Sequence, residues 1–340
     1  MNENITDFFE GKSILVTGGA GSIGSMLVKK LLTYNPAVVR VLDNSESALF
    51  YLQEELKNHP NIRFLQGDIR NKERVKRAMH KIDYVFNASA LKHVPICEYN
   101  PYEAVKTNVI GTQNLVESAR DENVKLFMSI STDKAVNPVN TMGATKLLSE
   151  KLVLGGRIGD ISTKFSCVRF GNVLNSNGSV IPTFKSQVKK GIPVTVTSEE
   201  MTRFFMSIDE ATHLILKAAT ITDGNEVFIL KMPALRIIDL AKTIIKETAP
   251  RYGKQPKDIE IEITGIRPGE KLHECLLAKE EIWKLRETDD MYVLRNMTNS
   301  GANTLSEIKT KNDDFSYSSD GVSHLNQEEI KEILVKYDIL

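Results

Sequence analysis

Ser13-Ile14-Leu15-Val16-Thr17-Gly18-Gly19-Ala20-Gly21-Ser22-Ile23-Gly24 is the stretch on which the fold turns. Residues 13–17 are a short, mostly apolar run with β-branched members, which is how a strand buried on both faces reads. Gly18, Gly21 and Gly24 then permit a tight turn, close backbone approach, and close packing of the next helix on the strand. Met26, Leu27, Lys29 and Lys30 carry helical spacing through 25–32. Outward from this unit the alternation repeats. Strands are predicted at 38–42, 62–65, 82–86 and 124–130, with helices at 48–56, 72–79 and 103–120. An alternation of this length implies an α/β fold, a doubly wound parallel sheet with helices on both faces. A helix continues to 154 and a strand follows at 164–170.

Beyond Gly171 the pattern loosens. A turn cluster falls at 175–178, short strands at 194–197 and 259–263, and helices at 209–219 and 237–247. Residues 297–320 read as irregular, and 328–335 close the chain as a helix. The expected organisation is a sheet domain over 1–171 with later segments returning to it. A smaller lobe over 172–296 and an irregular extension over 297–340 follow.

Composition narrows the function. The 340 residues suit one large domain or two closely joined ones. Lys plus Arg is 44 and Asp plus Glu is 44, which argues against a general nucleic-acid binder but leaves room for a small basic pocket. Cys97, Cys167 and Cys275 are scattered and offer no disulfide framework or zinc spacing, so they read as small buried hydrophobes in a reducing compartment. His93, His273 and His324 do not cluster with carboxylates, so no metal is expected. No apolar run approaches the roughly 18 residues of a membrane helix, and the first residues lack a signal-peptide pattern. A cytoplasmic protein with no membrane insertion is expected.

The glycine turn has a strand before it and a helix after it, the context that makes such a pattern informative. Its backbone N–H groups and the helix dipole would face a pyrophosphate in a Rossmann-type dinucleotide site. Asp43 ends the second strand about twenty residues on, where a carboxylate accepts from the adenosine ribose 2′-hydroxyl and repels a 2′-phosphate. No Arg or Lys follows in Asn44-Ser45-Glu46, so NAD is expected rather than NADP. Asp68 and Ile69 end the third strand, near the adenine. The plainer alternatives are a glycine turn without ligand and a purely structural Asp43.

These residues resemble the extended short-chain dehydrogenase/reductase family. Ala90-Leu91-Lys92-His93-Val94-Pro95, Ser131-Thr132-Asp133-Lys134-Ala135, Met142-Gly143-Ala144-Thr145-Lys146, Arg169-Phe170-Gly171-Asn172-Val173, Met201-Thr202-Arg203-Phe204 and Arg267-Pro268-Gly269-Glu270-Lys271 look like the UDP-N-acetylglucosamine 4,6-dehydratases of polysaccharide biosynthesis. Tyr317-Ser318-Ser319-Asp320 is a weaker echo. The resemblance implies oxidation at sugar C4, loss of water across C5 and C6, and hydride return to C6, with no net use of NAD. It adds Ser22, Ile23, Ala88 and Ala90 along the cofactor, with Lys146 at the nicotinamide ribose. It makes Lys134 the C5 base and Asp133 the acid for the C6 hydroxyl. Deprotonation of Lys134 is expected from desolvation or a cationic neighbour such as Lys146.

Met142 departs from the broader family, which carries Tyr four residues before the lysine, on the same helix face. A thioether cannot accept the 4-hydroxyl proton. Thr132 is expected to position that hydroxyl and Asp133 to take the proton. For substrate, the resemblance implies Arg203 on phosphate, Asn172 on diphosphate or sugar, Glu270 on the uridine ribose, Ser179 and Val180 at uracil, and Lys92 near cofactor and sugar. A homo-oligomer is also implied. Two other readings stay open, a UDP-sugar 4-epimerase and an NAD-binding regulatory protein without catalysis.

Overall fold

The computed structural model describes residues 3–156, 162–174, 179–295 and 315–340. Six parallel strands from the first half build most of the main sheet: β1 (Ser13–Thr17), β2 (Val38–Asp43), β3 (Ile62–Gln66), β4 (Tyr84–Asn87), β5 (Leu126–Ile130) and β6 (Lys164–Arg169). They lie side by side in the order β3-β2-β1-β4-β5-β6. The direction of growth reverses between β1 and β4, and right-handed crossovers therefore put the helices of the two halves on opposite faces. The reversal opens a crevice beyond the carboxyl ends of β1 and β4, where ligands of such sheets sit. Ile14, Leu15, Val16, Val85, Phe86, Phe127 and Met128 are all fully buried, as a sheet covered on both faces demands.

The second half returns to this sheet. Glu226–Leu230 adds a parallel strand beside β6, and Met291–Arg295 and Leu285–Glu287 extend the edge in antiparallel fashion. The runs EVFIL and MYVLR are short apolar stretches without an alternating partner nearby, and sequence reading passed over them. A smaller three-stranded sheet joins Ala234–Arg236, Thr202–Met206 and Asn172–Val173. A separate hydrophobic cluster forms around it, from Ile181, Phe184 and Val188 of the helix Val180–Lys190 to Leu240 and Ile244 of Ile237–Thr248. The last helix, Gln327–Lys336, packs Ile330 and Leu334 into that cluster. Among the described residues, no helix is long and apolar enough to cross a membrane.

Two local expectations change. The single helix expected over 103–120 is instead Pro101–Ala104, a wide π-turn at Val105–Gly111, and Thr112–Asp121. Buried Asn108 accounts for the wide turn: it bonds the backbone of Leu91 through both side-chain atoms and donates to Thr145 Oγ1 at 3.0 Å. The tail is less irregular than expected, because Tyr317–Ser318 pairs with Cys275–Leu277 and the Tyr317 hydroxyl bridges the backbone N–H and C=O of Met232. The turn cluster at 175–178 and most of the irregular stretch, 296–314, lie outside the described residues.

Candidate active site

The glycine turn is built as its spacing implies. Gly18 adopts φ +64°, and a Cβ there would come within 2.7 Å of the Ala88 and Ser89 backbone. A Cβ on Gly24 would lie 2.1 Å from Gly18 O, so the helix Ser22–Leu32 can approach the strand only with glycine at that position. Gly21 precedes that helix with no side chain capping its first turn. Asp43 reaches back to the turn, accepting from Ala20 N at 3.0 Å through Oδ2 and from Ser45 N at 2.9 Å through Oδ1. Asp68 is engaged by Arg70 at 2.6 Å. Burial pushes its carboxyl up, but the Arg70 hydrogen bonds and charge outweigh this and hold it below its ordinary value. Asn87, ending β4, accepts from Thr17 Oγ1 and fixes the start of the Ala88–Ala90 loop by accepting from Ser89 N.

Beyond β5 the backbone keeps pairing with the extension of β6, through Ser131 N to Val168 O and Asp133 N to Phe170 O. This pairing carries Asp133 into the interior, where it is fully buried. Its Oδ1 accepts from Thr132 Oγ1 at 2.7 Å and Lys134 Nζ at 3.0 Å, while Oδ2 is buried with no hydrogen-bond partner. Lys134 Nζ also lies 3.3 Å from Glu274 Oε1. Glu274 is a buried residue that sequence reading did not single out. The available signal was an acid directly before the apolar Cys275-Leu276-Leu277 strand, three residues past the Arg267–Lys271 motif.

The charge of Lys134 runs opposite to expectation. Burial alone would push its pKa down, yet Asp133 and Glu274 hold it above the ordinary lysine value, against a smaller opposing effect of Arg203. Lys146 is not the cation that acts on it. Lys146 Nζ donates to Ile130 O at 2.6 Å, and burial pulls its own pKa down despite Cys167 and Glu150. Met142 sits in the first turn of Thr141–Leu154, in a small apolar cluster with Cys97 and Ala104.

The remaining expected residues divide between the two lobes. Arg203 is almost buried and gives its N–H groups to the carbonyls of Thr202, Lys271 and Leu272, with Nε 3.8 Å from Glu274 Oε1. A bidentate grip on phosphate would require that guanidinium to turn. Glu270 Oε2 accepts from Arg267 N, and its loop is docked on the Asp133–Lys134 region: Lys271 Nζ donates to Val136 O and Asn140 Nδ2 to Gly269 O. Asn172 opens a strand paired at Phe205. Ser179 precedes the helix that begins at Val180, its hydroxyl buried without a partner and not capping the helix. Lys92 is exposed after β4. A cavity of about 360 Å³ lies elsewhere, between Phe205, Leu240, Ile330 and Tyr337, and contains none of these residues. Among the described residues no group of His, Cys, Asp and Glu could hold a metal ion.

The arrangement can move protons between a hydroxyl, two carboxylates and an amine at the edge of a nucleotide-type crevice. Comparison with known proteins agrees with a nucleotide-sugar enzyme. The family described as "Polysaccharide biosynthesis protein" matches residues 14–296. A Methanocaldococcus jannaschii protein named "Uncharacterized membrane protein MJ1061" is 55% identical over 100% of both chains. A Campylobacter jejuni protein named UDP-N-acetylglucosamine 4,6-dehydratase (inverting) is 38% identical, over 92% of this chain and 93% of that one. The solved structure of Pen from Bacillus thuringiensis superposes with a TM-score of 0.88 at 41% identity, covering 97% of this chain and 98% of that one. Relatives with epimerase names occur too, such as the UDP-glucose 4-epimerase of Rickettsia canadensis at 36% identity over 96% of each chain. With the strand–glycine–helix unit, the sheet order and the family match all in agreement, the chain belongs to the polysaccharide biosynthesis protein family, among the extended short-chain dehydrogenase/reductases that act as nucleotide-sugar dehydratases and epimerases.

Proposed function

We propose that this chain is a UDP-N-acetylglucosamine 4,6-dehydratase that binds NAD and recycles it. The observation that carries the reading is the buried Asp133 beside Lys134 at the carboxyl end of a central strand. Elimination of water across C5 and C6 needs an acid and a base side by side, and 4-epimerisation does not. Gly18, Gly21, Ser22, Ile23, Gly24, Asp43, Asp68, Ile69, Ala88, Ala90 and Lys146 would hold the cofactor, a proposal supported by the glycine cradle that a Cβ would fill. Bound there, NAD supplies the acceptor and donor of the hydride.

The protein's own side chains handle the protons. Thr132, which donates to Asp133 at 2.7 Å, links the 4-hydroxyl to that carboxylate. Asp133 takes the proton and then gives it to the departing C6 hydroxyl, which leaves as water. Lys134, as the neutral amine, takes the C5 proton and later returns it. Met142 makes no contribution to proton transfer. Arg203, Asn172, Ser179, Val180, Glu270 and Lys92 are proposed around the nucleotide sugar, and the unpartnered Ser179 hydroxyl supports a ligand there. A cytoplasmic location and a homo-oligomer complete the proposal, the oligomer supported by large apolar side chains left exposed at Tyr99, Tyr102, Ile110 and Leu148.

Proton NMR of UDP-N-acetylglucosamine after incubation tests the reaction. A new C6 methyl doublet is expected. An equatorial-to-axial change at C4 instead would establish the second reading, epimerisation, which the epimerase-named relatives favour. For the cofactor, Asp43→Ala is expected to weaken NAD relative to NADP, since a carboxylate at the 2′-position repels phosphate. Recovery of NADP alone from the denatured wild-type protein would overturn that assignment.

A further inference from the structure

The resting structure poses a problem for a lysine base. Lys134 Nζ lies 3.0 Å from Asp133 Oδ1 and 3.3 Å from Glu274 Oε1, so two carboxylates hold it as the ammonium. An ammonium cannot remove a C5 proton. Asp133 is committed in the proposed cycle to the 4-hydroxyl and C6 protons, which leaves a second acceptor to be found.

Resting on the dehydratase reading, we infer that Glu274 is that acceptor: it takes the resting proton of Lys134 and so releases the neutral amine. The transfer balances within the pair. An N–H bond of the ammonium breaks, an O–H bond forms on Glu274, and a charged pair becomes a neutral one. Three observations support it. Glu274 Oε2 is buried and has no hydrogen-bond partner, so the carboxyl has an oxygen to spare for a proton. Its backbone is clamped by Ser319, which accepts from Glu274 N at 3.0 Å and donates its own N–H to Glu274 O at 2.8 Å. Ser319 in turn bonds Thr202, whose hydroxyl also meets His273 Nδ1. This clamp gives the sequence Tyr317-Ser318-Ser319-Asp320 a purpose, since it fixes the acceptor against the base. Finally, burial raises the Glu274 pKa, with Asp133 adding to the rise and Lys134, Arg203 and Lys271 opposing it, so a proton is tolerated there. Asp133, Arg203, Lys271 and Lys134 are the charged groups that act on this carboxyl. By this account Glu274 is a positioning and proton-holding residue that need not touch the sugar.

The test is Glu274→Gln, with Glu274→Asp as the conservative control. In the wild type the proton stays inside the pair, so exchange of the C5 hydrogen of UDP-N-acetylglucosamine with deuterated water is expected to be nearly flat from about pH 6.5 to 8.5. In Glu274→Gln the proton can leave only to solvent. Exchange is then expected to fall about tenfold or more at pH 7 and to climb about tenfold per pH unit toward the wild-type rate. Glu274→Asp should keep the flat profile at a reduced rate. A second readout needs no turnover: NMR titration of the Lys134 side chain in lysine-labelled protein. Removing an anion disfavours the ammonium, so its midpoint should move to lower pH in Glu274→Gln. An unmoved midpoint, or a flat exchange profile in Glu274→Gln, overturns the inference. If the wild type makes no deoxy sugar while the midpoint still moves, the dehydratase reading fails and what stands is the charge coupling of Glu274 to Lys134.

Discussion

Lys134→Ala is expected to bind UDP-N-acetylglucosamine and still accumulate reduced cofactor, yet to release no 4-keto-6-deoxy product. Oxidation at C4 draws on Thr132 and Asp133, which the substitution leaves in place. Elimination draws on a base that the substitution removes, and loss of a general base typically costs about a hundred- to ten-thousand-fold in rate. The split between the two half-reactions is the diagnostic, because a misfolded or cofactor-free variant would lose both. Absorbance of reduced cofactor in a single turnover reads the first step, and deuterium incorporation at C5 reads the second. The substitution also strips a cation from two buried carboxylates, Asp133 and Glu274, leaving Arg203, 3.8 Å away, and Lys271 as the cations that act on Glu274. Lys134→Gln retains a hydrogen-bond donor there and should show the same split with less loss of stability. Near-normal C5 exchange in either variant would mean that another residue is the base.

How much of this could be read without coordinates depends on whether the signal is local. The glycine turn was legible because Gly18, Gly21 and Gly24 are each needed for one local packing event, and spacing records that directly. Strands β1, β4 and β5 were legible because burial on both faces leaves mostly apolar runs, and β2, β3 and β6 as shorter apolar stretches between helical patterns. The later strands Glu226–Leu230 and Met291–Arg295 were not, since they are defined by pairing with partners far along the chain. The same limit applied to the site. Asp133 and Lys134 are adjacent in sequence and could be seen as a pair. Glu274 meets them through long-range bonds with no periodicity, Asn140 to the Gly269 carbonyl, Lys271 to that of Val136 and Ser319 to the Glu274 backbone. The sign of the Lys134 shift was missed for that reason: desolvation could be guessed from a strand end, but a second carboxylate could not. Likewise the break at Val105–Gly111 depends on Asn108 reaching Leu91 and Thr145, contacts invisible to a helical pattern.

Arg169→Met is expected to be the most destabilising of the substitutions considered, through a buried ion cluster beneath the site. In the sequence Arg169 is one letter of a motif; in the fold its guanidinium is the centre of a triad. Nε and Nη2 donate at 2.7 Å to the two oxygens of Glu150, and Nη1 and Nη2 donate at 2.9 Å to those of Glu281. Arg169 and Glu150 are each only 2% exposed. Removing one member of a buried pair leaves an uncompensated charge, which costs about 3–5 kcal/mol. The urea midpoint should fall accordingly, with the slope of the transition unchanged if the unfolded state is unaffected. The pH dependence separates lost charge from lost packing. Burial pushes the Glu150 carboxyl up, but the Arg169 charge and hydrogen bonds outweigh it and hold its pKa below the ordinary value. A carboxyl depressed in the folded state contributes stability above its unfolded pKa, and that contribution disappears as pH falls through the folded value. In Arg169→Met this contribution is absent, so the stability gap between wild type and variant should narrow as pH drops below the ordinary glutamate range. A gap that stays constant with pH would assign the loss to packing alone, and an unfolding free energy within about 1 kcal/mol of wild type would remove the triad from the account of stability. Glu150 lies one helical turn beyond Lys146, whose amine is fixed on Ile130 O at the end of β5. Breaking the triad should therefore loosen the strand end that carries Asp133, and partial loss of C4 oxidation is expected to accompany the loss of stability.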